Sequence, residues 1–496
     1  MEFRWMNRLL LLCASLFAAA ALTGCGGSGS SSSATAQHEW AWMGGSQKIN
    51  AAGIYGTKDT ASQQNMPGAR SAAAFWTDSQ GNLWLFGGVG IDANKSLGGL
   101  SDLWEYSGGQ WTWVSGSNSA PGPAVPGGSA ESSLFGNIGA PGVYGTMGVA
   151  AAANTPGAQN GAAHWTDAHG NLWLFSGYGV DGSDNWASLN DLWKFTPSSG
   201  QWTWMGGTST APTAPKGVYG TIGVASATNM PGPRSQAAGW TDAQGNLWLF
   251  GGYGADADGK VGYLSDVWKY TPSNGQWTWV ADSEYANQPY NFTQQGTPSA
   301  SATPGARSDM LSWTDSKGNL WLYGGESNSI APQGQINFWA DLWMFSPSSG
   351  QWTWVGGSST PNQSVNFGQM GVAAASNTPG SRWDSATWTD AQGNLWLFGG
   401  TSVNGPLITA YSDLWEYSNG QWTWVLGKNQ GFGSSYGTLG VAASSNYPPI
   451  RAQAAAWVDS SGHLLLFGGE TAVSMSGGEL DVLPNTSLND LWEYTP

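Results

Sequence analysis

Five arginines stand at one repeated place in the chain, six residues ahead of a tryptophan: Arg70, Arg234, Arg307, Arg382 and Arg451 precede Trp76, Trp240, Trp313, Trp388 and Trp457. Gln159 holds the matching place before Trp165, and the only other arginines are Arg4 and Arg8 near the start. A guanidinium is a planar fork suited to carboxylate or phosphate recognition. The same group could instead satisfy loop carbonyls or pair with a neighbouring Asp. Two residues further on, the series reads Ala72, Gly161, Gln236, Asp309, Asp384, Gln453. Asp309 and Asp384 fall in adjacent repeats, and Trp339 and Trp383 belong to the same two. Arginines, paired carboxylates and spare aromatics together suit a sugar or peptide site, where rings stack and polar groups direct. Self-neutralising Arg–Asp pairs beside water are the alternative.

These residues must be positioned by the elements around them. One phrase, Trp-x-Asp followed by Gly and an apolar run ending in Gly-Gly, begins at Trp76, Trp165, Trp240, Trp313, Trp388 and Trp457. A second, Asp-Leu/Val-Trp, recurs at Asp102, Asp191, Asp266, Asp341, Asp413 and Asp490. A third, Trp-x-Trp, begins at Trp111, Trp202, Trp277, Trp352 and Trp422, with a sixth copy at Trp40. The period is roughly 70–90 residues, and internal repeats of this kind decide architecture before anything else. Leu-Trp-Leu-Phe and Trp-Thr-Trp read as strands by alternation and aromatic content. Asp-x-x-Gly, as at Asp242, and Thr-Pro-Ser-Ser-Gly, as at Thr196, read as tight turns. Each repeat is therefore expected to be a four-stranded antiparallel meander, a to d, with a tight turn, a long b–c loop and a second tight turn. Such a unit forms one blade of a propeller.

The last repeat stops at Pro496 after strand c, and the orphan Trp40-Ala41-Trp42 sits at the other end. The N-terminal strand is expected to complete the sixth blade and so remove the open sheet edge. Gly-Gly ending strand b, aromatic strand c and Trp in strand d resemble kelch repeats from about Glu39 to Pro496. The resemblance implies an all-β, six-bladed kelch-type β-propeller over residues 38–496. Ser176-Gly177 replaces Gly-Gly in the second repeat, and Leu464-Leu465-Leu466 lacks Trp in the sixth.

Of the 33 Trp, 29 belong to the repeat framework. Their expected role is packing between blades rather than sugar stacking, and truncating one, such as Trp354, should cost roughly 3–5 kcal/mol. Trp5 lies near the start, which leaves Trp186, Trp339 and Trp383 spare. The d–a connections run roughly 27–45 residues, and several carry Tyr-Gly-Thr-x-Gly-Val, marked by Tyr55, Tyr144, Tyr219 and Tyr436. Long loops on a rigid ring are a usual home of function; a structural cap over the ring is the alternative. The expected binding set is Arg70, Arg234, Arg307, Asp309, Trp339, Arg382, Trp383, Asp384, Arg451 and Trp186, gathered at the mouth of a central channel.

The chain of 496 residues carries 16 Lys+Arg against 32 Asp+Glu, a net charge of −16. Charged residues are only 10% and Gly numbers 74, yet 33 Trp, 16 Tyr and 15 Phe supply ample apolar area for a core. Disorder is excluded, and so acidic a chain makes a poor partner for nucleic acid. Residues 1–8 with two arginines, then the apolar run 9–22, form a signal-peptide pattern too short to span a bilayer comfortably. Leu22-Thr23-Gly24-Cys25 resembles the lipobox of bacterial lipoproteins, which implies lipidation of Cys25 after removal of residues 1–24. Residues 25–37 then form a Gly/Ser-rich tether, and Gly26 after the cysteine points by the same resemblance to the outer membrane, on its periplasmic or surface side. Cys13 lies within the signal, so no disulfide or cysteine–metal site is expected.

Galactose oxidase, an enzymatic relative of the kelch fold, uses two His, two Tyr and a Cys–Tyr crosslink around copper. No cysteine remains for that crosslink, and His38, His164, His169 and His463 are scattered, so that activity is excluded. The fold alone also resembles that of the six-bladed sialate mutarotases, where Asp309 or Asp384 could serve as acid or base. Asp256-Ala257-Asp258-Gly259 lacks the remaining ligands of a calcium loop and reads as a plain turn. The expected function is non-catalytic recognition of a glycan, a peptide or a protein on the long-loop face, by a lipid-anchored monomer without cofactor or metal. The alternatives are a sugar mutarotase or isomerase at the channel mouth and a structural envelope scaffold.

Overall fold

The computed structural model describes residues 38–124, 136–211, 213–328, 336–404, 407–427, 434–471, 473–476, 479–482 and 486–496. The signal pattern, the tether and Cys25 lie outside the described residues. Within them the chain forms strands, turns and isolated bridges and no helix, an all-β arrangement consistent with a β-propeller.

In the first repeat the strands Ala74–Thr77, Leu83–Phe86, Leu103–Ser107 and Gln110–Ser115 pair in chain order, each antiparallel to the next. Sheets of the same order follow at Ala163, Ala238, Leu311 and Ala386. The sheet that starts at Ala455–Val458 continues through Leu464–Phe467 and Leu491–Thr495 to Glu39–Gly44. There Trp40 lies opposite Tyr494, and Ala41 opposite Glu493. The leading strands lie side by side in chain order, and Ala455–Val458 also neighbours Ala74–Thr77.

Burial explains why these segments are strands. Leu83–Phe86 is buried at all four positions, because both faces of each sheet are covered by the sheets beside it. One core joins Trp76, Trp84 and Phe86 to Leu172, Leu174 and Phe195 of the following repeat. Another joins Leu83, Leu85 and Trp104 to Trp457, Leu465 and Phe467 of the last. The two Trp of strand d part company here. The first, as in Trp352, is 2% exposed between sheets. The second, as in Trp354, is half-buried and packs on the ring of Phe292. Trp354 is thus under the loop rather than in the inter-sheet core, and the full truncation cost belongs to Trp352.

The d–a connections explain that loop cover. Gly148, Gly223, Gly371 and Gly440 donate their N–H to the carbonyls of Trp204, Trp279, Trp424 and Trp42, each on a strand d. The connection thereby satisfies the outer edge of the sheet, which would otherwise offer unpaired groups to another chain. The b–c segments, expected as loops, are partly ordered hairpins. Val89–Ile91 pairs with Leu97–Gly99 on one side and with Arg70–Ser71 on the other.

Candidate functional site

The five arginines are not at a ligand surface. Each guanidinium grips the Asp of its own strand c through both nitrogens, as Arg70 does with Asp102 Oδ1 and Oδ2 at 2.7 Å each. Arg234–Asp266, Arg307–Asp341, Arg382–Asp413 and Arg451–Asp490 repeat the pairing, with every side chain at most 1% exposed. One nitrogen also donates to the first carbonyl of Gly-Gly, such as Gly87 or Gly399. The Trp two residues after the Asp donates to it as well, as does the loop tyrosine at Tyr55, Tyr219 and Tyr436. Burial raises the Asp102 carboxyl and Arg70 pulls it down, leaving it below its ordinary value. These guanidiniums spend both terminal nitrogens on carboxylate and carbonyl and are shut off from solvent, so even the unpaired Nε of Arg307 and Arg382 faces no ligand. The expectation that Arg70, Arg234, Arg307, Arg382 and Arg451 bind ligand is therefore corrected: they lock loop to blade.

The three spare tryptophans are also framework. Trp339 is 1% exposed, lies under the Arg307 guanidinium at 5.2 Å and donates to Ser327 Oγ. Trp383 stacks on Phe338 with ring centroids 4.1 Å apart. Trp186 packs on Tyr178 and against Ile138, Ala158 and Val180. None of the three is among the residues that line the cavity described next, which corrects their placement in the binding set.

The series two residues on does converge. Ala72, Gly161, Gln236, Asp309, Asp384 and Gln453 all line one cavity of about 370 Å³. All six have left-handed φ between 53° and 60°, a conformation costing non-glycine residues about 1–3 kcal/mol. It is stabilised by main-chain hydrogen bonds from one to the next. The N–H of Ala72 donates to Gln453, that of Gly161 to Ala72, that of Gln236 to Gly161, that of Asp309 to Gln236, and that of Gln453 to Asp384. A deeper tier holds Phe75, His164, Gly239, Ser312 and Thr387. One wall is thus apolar, from Ala72, Ala73, Phe75 and Ala162, and the other carries the polar groups of Gln236, Asp309, Asp384 and Gln453 among Ala237, Met310 and Ala454.

Electrostatics single out the polar wall. Asp309 accepts from Ser308 Oγ at 2.7 Å, and Asp384 from Gln453 Nε2 at 3.1 Å. Burial, then the Asp384 charge, then Glu326 hold the Asp309 carboxyl well above its usual range. Burial pushes Asp384 up to about 7 against a hydrogen bond with Asp309 that draws it down. Glu326, which accepts from Tyr263 OH at 2.9 Å, is raised by burial. Glu470 is pushed up to about 7 by burial and by Asp384. Carboxylates this close in low dielectric cannot all ionise, so protons are retained near neutrality. Burial lowers His164 to about 4, so its imidazole is uncharged at pH 7. Such a site can accept hydrogen bonds, donate them through retained protons, and relay a proton between Asp309 and Asp384.

Of the groups that set these electrostatics, His164 lines the cavity while Glu326, Glu470 and Tyr263 do not, and none of the four was foreseen. Two of them had a signal: the residue after Gly-Gly reads Val89, Tyr253, Glu326, Thr401 and Glu470 across five repeats, and glutamate there is the departure. Asp256, as expected, is a turn residue, its carboxylate accepting from the N–H groups of Asp258, Lys260 and Ala286.

No protein-family model matches the chain, and no curated protein matches it. Among solved structures, one titled "Structure of YjhT" is similar at 13% identity and a TM-score of 0.48, covering 86% of this chain and 95% of that one.

Proposed function

We propose that the chain is a six-bladed kelch-type propeller, closed by its N-terminal strand, that binds a glycan or peptide without catalysis at the mouth of its central cavity. The observation that carries this reading is the convergence of Ala72, Gly161, Gln236, Asp309, Asp384 and Gln453 on one cavity with an apolar and a polar wall. That division suits a sugar ring or a small side chain, one face against alanines and phenylalanine and hydroxyls or amides toward the carboxyls and glutamines. The lining residues include no Lys or Arg, so the favoured ligand is neutral or cationic rather than acidic. The pairing of Glu39–Gly44 with Leu491–Thr495 and the cyclic neighbourhood of the leading strands support the closed six-bladed reading. The lipobox-like segment supports a lipid-anchored monomer of the cell envelope, at the outer membrane.

Glycan and peptide arrays probed with the protein test the binding. Specific binding lost in Asp309→Asn and in Asp384→Asn supports the reading. No binding to either array leaves the envelope-scaffold role instead. Metabolic labelling with palmitate, lost in Cys25→Ala, tests the anchor.

A second reading rests on the Asp309–Asp384 pair, whose raised, interacting carboxyls are suited to passing a proton on and off a hemiacetal oxygen. Acceleration of anomer exchange of a reducing sugar, followed by proton NMR and abolished in Asp384→Asn, would make the protein a mutarotase.

A further inference from the structure

One repeat breaks the pattern at the a–b turn, far along the strand from the cavity. In the first five repeats the turn Asp accepts from an Asn four residues on and from the strand-b Trp. Asp78 Oδ2 takes Asn82 Nδ2 at 3.1 Å and Trp84 Nε1 at 2.9 Å. Asp167, Asp242, Asp315 and Asp390 do the same. In the sixth repeat both donors change together. His463 stands in place of Asn, and Leu465 in place of Trp. Asp459 Oδ2 thereby loses an indole donor and gains an imidazole, with Nδ1 at 3.0 Å. Glu493 Oε1, on the strand that carries Trp492, lies 3.7 Å from the same nitrogen.

We propose that Asp459, His463 and Glu493 form a site for a borderline divalent cation of the Zn²⁺, Ni²⁺ or Cu²⁺ class. One ligand atom from each lies within 4.8 Å of the others. Bonds of about 2.0–2.1 Å place tetrahedral ligands about 3.3–3.4 Å apart, between the two separations observed from Nδ1. One imidazole with two carboxylates suits these ions better than calcium, which takes six to eight oxygens. The side chains are 31%, 27% and 24% exposed for His463, Asp459 and Glu493, so a hydrated ion can enter and keep water on its open positions. Asp459 Oδ1 is held by the N–H groups of Ser461 and His463, which leaves Oδ2 to the metal. The ion would tie the a–b turn to Leu491–Thr495, the strand against which Glu39–Gly44 pairs.

The test is equilibrium dialysis of the full, tag-free protein in detergent against micromolar Zn²⁺. About one ion per chain is expected. His463→Asn, which installs the residue of the other five repeats, should weaken binding at least tenfold, and Glu493→Gln should weaken it too. Asp384→Asn should leave it unchanged. Saturating Zn²⁺ should raise the melting temperature of the unmodified protein and not of His463→Asn. Failure to bind at 100 µM Zn²⁺, or binding by His463→Asn and Glu493→Gln as tight as that of the unmodified protein, overturns the proposal and leaves His463 as a stand-in donor for asparagine.

Discussion

The indole Nε1–H of Trp457 donates to the carbonyl of Trp84 at 3.3 Å, across 373 positions of chain. The same bond links neighbouring repeats elsewhere: Trp76 to Trp173 at 3.0 Å, Trp165 to Trp248 at 2.8 Å, Trp313 to Trp396 at 2.9 Å and Trp388 to Leu465 at 3.0 Å. Between last and first it is the longest of those five. The seam between last and first repeats is therefore made by the same contact as four of the five junctions between consecutive repeats, the exception being Trp240, whose Nε1 has no partner.

If that seam holds the molecule together, its N-terminal strand must matter far beyond its length. Trp40 is fully buried against Phe398, Trp492 and Tyr494. Trp40→Ala should cost about 3–5 kcal/mol, read as a fall in the urea midpoint. Deleting residues 39–43 should lower the melting temperature further; an unchanged melt would contradict the pairing.

Breaking one Arg–Asp clamp should be equally severe. Asp413→Ala leaves the fully buried Arg382 guanidinium without its partner and should cost about 3–5 kcal/mol. Arg382→Met with Asp413→Leu removes both charges and should recover most of that loss. Chemical denaturation of the single and double variants decides the matter.

The second repeat already lives with a broken clamp. Asp191 is 1% exposed, and its carboxyl is raised by burial while Tyr144 and Trp193 hold it down. Gln159 fills the arginine's place with neither amide atom hydrogen-bonded. Gln159→Arg should therefore stabilise the protein by about 1.5–3 kcal/mol, in the range of hydrogen bonds to a charged group. Loss of stability in this variant would show that the site has closed around the shorter side chain.

The cavity carboxyls give stability a pH dependence of definite sign. With folded values near 7 for Asp384 and Glu470 against ordinary values near 4, the folded state holds more protons than the unfolded between those limits. Their contribution is fully present below about pH 4 and is lost as pH rises through 7. Asp384→Asn should flatten the melting temperature between pH 5 and 8, raising it most at pH 8. A profile parallel to the unmodified protein would refute the raised carboxyl.

Repeat period, strand pattern and the aromatic framework were legible because packing between sheets demands the same residue at the same place each time. The side of a strand was harder to read. Arg382 and Asp384 are two residues apart and were expected together at the mouth. Yet Arg382 pairs along a short strand with Ser402 and sends its charge to Asp413, while the left-handed turn at Asp384 brings its own carboxyl to the cavity. Spacing alone carries no sign of a positive φ at an aspartate. The matching of five arginines with the Asp-Leu/Val-Trp series was open to inspection, since the Asp recurs in all six repeats and the arginine in five. What hid the clamp was the span of 31–39 residues between partners, bridged only after the sheet has formed.

The left-handed step at Ala72, Gly161, Gln236, Asp309, Asp384 and Gln453 has one more implication. Because five of the six steps are tied through peptide groups, the one between Asp309 and Asp384 being the exception, the rim is set mainly by backbone, while the attached groups are free to vary. If the cavity takes the proposed ligand, size exclusion and chemical preference are separable traits: exchanging an aspartate for an asparagine or an alanine for a glutamine would retune the preference and leave the width of the opening unchanged.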